Sequence, residues 1–357
     1  MARALVGRAG LLLRPAAVAC LLLAAGCALP PRRGQAFPIG LYDVDRPGEL
    51  PRLSRDGFTA VETALTDRKT IRALGAEAKK YGLSLLVFPG QLAKAGASVQ
   101  GLPILAWYLA DEPDVSRLAL ATLLRARSSL HRWDRRPLAL VVGDGRTAAR
   151  YAPAADIMMV DWYPVPHLPL ESVGWNVRWT IEGSGGRPVW AVVQAMNWKD
   201  YRQHDPSKPR IGRFPTYTEM RFMAYDAIAE GASGIWFYSY RRPDGSLRSE
   251  NPEHWGRVTA VVAELAFVRK LVARARPLPS PVPEAPAFAG LVGRAWERHG
   301  EDYALIVNAS GAPAALPAKL CGLDWRLLRD GGSAWRAAGC RIAAHQALLF
   351  GSATLTK

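Results

Sequence analysis

Between residues 37 and 275 short apolar runs alternate with stretches of helical patterning, and this alternation restricts the fold more than any other feature of the chain. The apolar runs span residues 37–43, 58–62, 83–88, 104–110, 138–142, 157–161, 188–194 and 234–238. Each is too short for a typical helix and is bounded by Gly, Pro or acidic residues, so each is expected to be a buried strand. Helices are expected over 48–56, 66–81 (capped by Thr66), 115–133, 171–181, 216–230 and 252–275. A short turn of helix is expected near 147–151. Thr216 with Glu219 three residues on has the spacing of a capping box. Strands that alternate with helices make a parallel sheet. Eight units in about 240 residues match a (β/α)₈ TIM barrel over 37–276. A doubly wound open sheet would need a glycine-rich first turn, and residues 37–48 do not supply one.

Beyond residue 276 the pattern changes. Five prolines (277, 279, 281, 283 and 286) suggest a stiff linker over 277–288. Short alternating runs over 289–357 then predict a small antiparallel β-sandwich. Cys321 and Cys340 fall within it and can form a disulfide in an oxidising compartment.

Such a compartment is what the N-terminus predicts. Arg3, Arg8 and Arg14 flank and precede apolar residues, and the run ends in Leu23-Ala24-Ala25-Gly26-Cys27. This is the layout of a secretory signal over 1–26. Its end resembles the lipobox of bacterial lipoproteins, although Ala24 stands where leucine is usual. The resemblance implies lipidation at Cys27, with 27–36 as a tether and the chain held in the cell envelope, facing the periplasm or the surface. The net charge of +15 is spread through helices and loops without a nucleic-acid-binding motif, so nucleic acid is not an expected partner. The histidines and cysteines are dispersed, and neither a metal site nor a cofactor is expected.

In a barrel the strand tips share one mouth. Carboxylates end four of the strands: Asp43, Glu62, Asp111 with Glu112, and Asp161. Gathered acids repel one another and lose water, which favours protonated, acid-donating forms near neutral pH. Trp162, Tyr163, Trp198, Trp236, Tyr238 and Tyr240 interleave aromatic faces with them, as a sugar ring requires. Trp107 and Trp190, inside strands, are expected in the core.

The segment Trp107-Tyr108-Leu109-Ala110-Asp111-Glu112-Pro113 resembles the fourth-strand motif of the large retaining clan of barrel glycoside hydrolases, with Asp111 where that clan usually has Asn. Ile235-Trp236-Phe237-Tyr238 is similar to its eighth strand. The resemblance implies that Glu112 is the acid/base and that a nucleophilic Glu ends the seventh strand. That strand ends instead in Gln194, an amide. Three readings stay open: Asp161 or Glu62 is the second carboxylate, the substrate supplies its own nucleophile with Gln194 orienting it, or the scaffold binds glycan without cleaving it. Asp43, Asp111, Gln194, Tyr163 and Tyr238 would then hold hydroxyls. The polar insertion 195–215, carrying Arg202, His204, Lys208, Arg210 and Arg213, is expected over the mouth, where it could grip acidic groups of a carbohydrate.

Overall fold

The computed structural model describes residues 37–352 other than 65–66, 91, 93–98, 202–210, 243–244, 323–324 and 330–338. The expected leader, Cys27 and the tether lie outside the described residues, as do Thr66 and the basic insertion residues Arg202, His204, Lys208 and Arg210. No described helix is long and apolar enough to cross a membrane.

Eight parallel strands close into a barrel in chain order: β1 (Ile39–Leu41), β2 (Ala60–Thr63), β3 (Ser84–Val87), β4 (Ile104–Ala110), β5 (Leu138–Val142), β6 (Ile157–Trp162), β7 (Val189–Gln194) and β8 (Ile235–Tyr238). Around them lie α1 (Leu50–Arg55), α2 (Arg68–Lys80), α3 (Leu120–His131), α4 (Ala148–Tyr151), α5 (Ser172–Gly183), α6 (Tyr217–Glu230), α7 (Leu247–Glu250) and α8 (Pro252–Val272). Helix α2 is capped by Asp67, whose carboxylate accepts the Thr70 N–H. The expected helix over 115–133 begins only at Leu120, because Asp114 is engaged elsewhere: it accepts the N–H groups of Gly143 and Asp144. The capping box of Thr216 and Glu219 is present.

Strand alternation divides the barrel's apolar residues into two cores. Leu41, Val61, Leu85, Val87, Leu140, Val160 and Val193 face the helices. Ala60, Leu86, Ala106, Ala139, Met159, Trp190 and Trp236 fill the interior. The interior packs large against small: a Cβ at Gly40 would lie 2.0 Å from the Trp236 ring, so only glycine admits that indole. Trp107 packs on the helix side and Trp190 in the interior, both fully buried.

The C-terminal domain is one five-stranded antiparallel sheet and a two-stranded ribbon. Its elements are β9 (Arg276–Leu278), β10 (Leu291–Arg298), β11 (Glu301–Asn308), β12 (Ala314–Ala315), α9 (Ala318–Cys321), β13 (Trp325–Arg329), β14 (Arg341–Ile342) and β15 (Gln346–Ser352). The sheet order is β13-β15-β11-β10-β9, and β12 pairs with β14. His299 and Gly300, both at positive φ, join β10 to β11 in a two-residue hairpin. Ala304, Ile306, Leu348 and Phe350 face the ribbon, whereas Leu305, Val307, Ala347 and Leu349 join the barrel's outer core. Among the described residues the second layer of the expected sandwich is the ribbon and α9. Cys321 and Cys340 are bonded, their Cα atoms 5.9 Å apart.

The proline-rich stretch 277–288 packs on the sheet domain. Pro277 sits in β9, an edge strand where its missing N–H is harmless, and Val282 packs into the sheet's core.

Candidate active site

The mouth at the C-terminal ends of the strands holds a cavity of about 400 Å³. Asp43, Glu62, Asp111, Glu112 and Asp161 line it, together with Tyr163, Trp198 and Tyr238. Four strand tips, β1, β2, β4 and β6, thus bring their acids into one space.

The fourth strand aims its pair through an irregularity. Tyr108 faces the interior, but the register shifts between Tyr108 and Ala110, and Leu109 and Ala110 both pack outward. Such a bulge re-aims the side chains beyond it. Glu112 then adopts φ 41°, a left-handed conformation uncommon for a glutamate. The turn is held on both sides. The Glu112 N–H donates to the Val141 carbonyl at 3.1 Å, and the Tyr151 hydroxyl donates to the Pro113 carbonyl at 3.1 Å. Gly143 leaves room for the side chain, since a Cβ there would lie 3.3 Å from Glu112 Oε1.

The Glu112 and Asp161 carboxyls are in hydrogen-bond contact. Burial raises both above the usual carboxylate range, and the repulsion of each by its acidic neighbours adds to this for Asp161 and Glu112 alike. Both carboxyls thus favour their protonated forms. On the β1–β2 side, Glu62 is 2% exposed and its Oε2 accepts the Asp43 N–H at 3.0 Å. Burial raises Glu62 well above its ordinary value, and Asp43, Asp45 and Asp111 add to the effect. Asp43 has φ 62° and is raised by burial, against the pull of Arg241 at 3.6 Å. Asp111 acts electrostatically on both groups of acids and accepts a hydrogen bond from the Tyr108 hydroxyl, to which the Tyr42 hydroxyl donates at 3.4 Å. Burial pushes Tyr42, Tyr108 and Tyr163 far up, so these phenols stay neutral donors.

One wall is aromatic. Tyr163 and Tyr238 stack with centroids 5.2 Å apart and planes 19° from parallel, and Tyr201 leans on Tyr238 at 6.0 Å. The Trp198 indole donates to the Tyr163 carbonyl at 3.1 Å, tying the loop after β7 to the loop after β6. The peptide Tyr238–Ser239 is cis.

Four expected ligand contacts are displaced from the cavity. Gln194 is fully buried: its amide oxygen accepts the Val165 N–H and its amide nitrogen donates to the Val165 carbonyl, both at 2.8 Å, and to Met196 O at 3.2 Å. It clamps the loop after β6 and does not reach a ligand. Trp162 has the outward parity of Met158 and Val160, and its indole donates to Ser172. Trp236 lies in the interior below the mouth, against Gly40 and Trp190. Tyr240 donates to Glu49 at 2.7 Å and lines a neighbouring hollow. Arg213 forms a fork with Glu219 at the start of α6 and grips nothing at the mouth. Conversely, Tyr42, Phe88, Tyr108 and Met196 line the cavity and were not expected there. For Tyr42 and Tyr108 the signal was strand parity, two residues beyond the interior positions Gly40 and Ala106.

No protein-family model matches the chain, and no curated protein is similar to it in sequence. Solved structures are similar in fold. Amy13B of Eubacterium rectale superposes with a TM-score of 0.58 at 9% identity, over 89% of this chain and 97% of that one. An α-amylase from Geobacillus thermoleovorans, complexed with acarbose, gives 0.54 at 9% identity, over 89% and 99%. A GH30 endoxylanase from Clostridium papyrosolvens gives 0.51 at 10% identity, over 89% and 97%. The chain therefore has a glycosidase-like fold, a (β/α)₈ barrel followed by a small sheet domain.

Proposed function

We propose that this protein is an exported glycosidase that cleaves a polysaccharide or oligosaccharide, with Glu112 as the general acid. The observation that carries this reading is the Glu112–Asp161 pair, two adjoining carboxyls lining the mouth of a sugar-sized cavity beside a tyrosine wall. Glu112 protonates the glycosidic oxygen, and Asp161 holds that proton in place. Because Asp161 is spent on Glu112, Glu62 and Asp111 remain to stabilise the positive charge that develops on the sugar or to activate water. Their separation from the acid across the bound sugar decides the stereochemistry: about 5 Å favours a covalent route and roughly 6.5–9.5 Å an inverting one. The tyrosines stack on the sugar's C–H face and donate to its hydroxyls.

A second reading has its own support. The seventh strand, where the resembled clan keeps its nucleophile, ends in an amide locked into the backbone of a loop. A scaffold that binds glycan without cleaving it would tolerate this. A glycan panel scored for binding and for cleavage, on wild type and Glu112→Gln, separates the two. Hydrolysis that Glu112→Gln lowers by about 10²–10⁴-fold, with binding kept, supports catalysis. The catalysed rate should fall as pH rises through the elevated pKa of the pair, since the acid must be protonated. Binding without cleavage by wild type supports the second reading, and full activity in Glu112→Gln refutes the mechanism.

The basic, apolar leader and Cys27 support export and lipid tethering to the envelope. Cys27→Ser should move the protein from the membrane fraction to the soluble exported fraction. Retention in the membrane would overturn the tether.

A further inference from the structure

The charge balance of the cavity is the reverse of the chain's. The protein carries a net charge of +15, yet five carboxyl groups line the cavity and no Lys, Arg or His does so among the described residues. Arg241, more than half exposed, meets Asp43 only from the rim. One of the acids keeps an oxygen for a ligand: Glu62, 98% withdrawn from solvent, engages only Oε2 among the described residues. Sugar hydroxyls are served equally well by neutral amides. Acids without counter-charge instead favour a cation. Among the described residues no three of them converge closely enough to chelate a metal ion. The stacked faces of Tyr163 and Tyr238 beside them complete the chemistry that recognises an organic ammonium, carboxylates for its N–H groups and π-faces for its charge.

We infer that the cavity takes an amino sugar in its ammonium form, and that the substrate is a glycan containing de-N-acetylated hexosamine. The ammonium sits between Glu62 and Asp111, and the ring stacks on the tyrosines. An N-acetyl group would leave these acids without a counter-charge, and a uronate would be repelled. The elevated state of Glu62 accords with this, because an arriving cation lets it ionise and so displaces a proton. The inference rests on the glycan-binding reading of the same cavity.

The test is linkage-independent. The methyl α- and β-glycosides of glucosamine and galactosamine are titrated into the full chain beside their N-acetylated, uronate and neutral counterparts. Calorimetry at pH 7 is run at low and high salt and in two buffers of different ionisation enthalpy. The amino sugars should bind about tenfold or more tightly than their neutral counterparts, the worth of one charge-assisted hydrogen bond. That margin should shrink in high salt, and binding should release protons. Glu62→Gln should cut the ratio of amine to neutral-sugar affinity, whereas a merely structural defect would weaken all ligands in proportion and leave that ratio intact. Equal or tighter binding of neutral, N-acetylated or uronate sugars would overturn the amine inference and leave the glycan reading standing. No binding of any sugar would overturn both.

Discussion

Glu112 combines three conditions that seldom meet in a structural residue: a left-handed backbone, partial burial and a second carboxyl in contact. Each is unfavourable alone, so together they mark a site that is held in place by its surroundings. Glu62 makes the same point through stability. Its folded-state pKa lies well above that of the unfolded chain because burial penalises the charge. The folded protein therefore binds the proton more tightly, and stability is lost as pH rises from about 4.3, the unfolded value, through the elevated one. Glu62→Gln removes this loss and keeps the acceptor for the Asp43 N–H. The variant should melt higher than wild type at pH 8, by about 1.4 kcal/mol for each unit of elevation removed, and close to wild type at pH 4. Equal melting temperatures at pH 8 would show that the carboxylate is not penalised. Which residue types gather at the mouth was legible from the strand tips, because a barrel fixes where a strand tip goes. Which side chains turn inward was only partly legible. Parity places Trp162 outside and Tyr42 inside, but the bulge after Tyr108 breaks parity just before Asp111 and Glu112.

At the scale of elements, the apolar runs located every barrel strand to within two residues at either end, because a strand buried on both faces needs continuous apolar character. Loops were less legible, since their geometry is set by single polar side chains acting at a distance in sequence. Gln194 is the clearest case. From the sequence it is the residue at the end of β7, a ligand by position; in the fold it replaces a missing backbone partner for the loop after β6. Gln194→Leu leaves both the N–H and the C=O of Val165 buried without these partners. The expected loss is about 2–4 kcal/mol, from two unsatisfied groups at roughly 1–2 kcal/mol each. Because Tyr163 lies two residues before this clamp, glycan affinity should fall with stability. Hydrogen exchange should show the amides of 163–168 opening before the barrel does. If only global unfolding exposes them, the clamp is not local. Asp114 teaches the same lesson: next to the acid pair it looks like a helix cap, yet it anchors the loop after β5.

For the whole molecule, the barrel and the sheet share one core. Helix α6 is buried over ten consecutive residues, Met220 to Ala229, and so has no solvated face. A helix that is covered all round must lie between two layers, and here those are the barrel strands and the inner face of the sheet, with Leu305, Val307 and Leu349 in the same cluster as Met220 and Phe222. Arg221 crosses this junction. Its guanidinium pairs with Glu264 of α8 at 3.0 Å, and Nη1 donates to the Ala347 carbonyl of β15 at 2.9 Å. The Tyr217 and Tyr225 hydroxyls donate to the same glutamate. A buried ion pair adds little over well-packed apolar groups, but removing one partner leaves the other charged and unpaired, a loss of roughly 3–5 kcal/mol. Arg221→Met should therefore destabilise the protein by about that amount, and Arg221→Met with Glu264→Leu by clearly less. Wild type should unfold in a single transition in which barrel and sheet amides exchange together, because neither can leave without exposing α6. In Arg221→Met the sheet should release first, seen as earlier exchange over 291–308 and 346–352 than over β5–β7. Two separate transitions in wild type would instead make the sheet an independent appendage, and the apolar character of α6 would then lack its explanation.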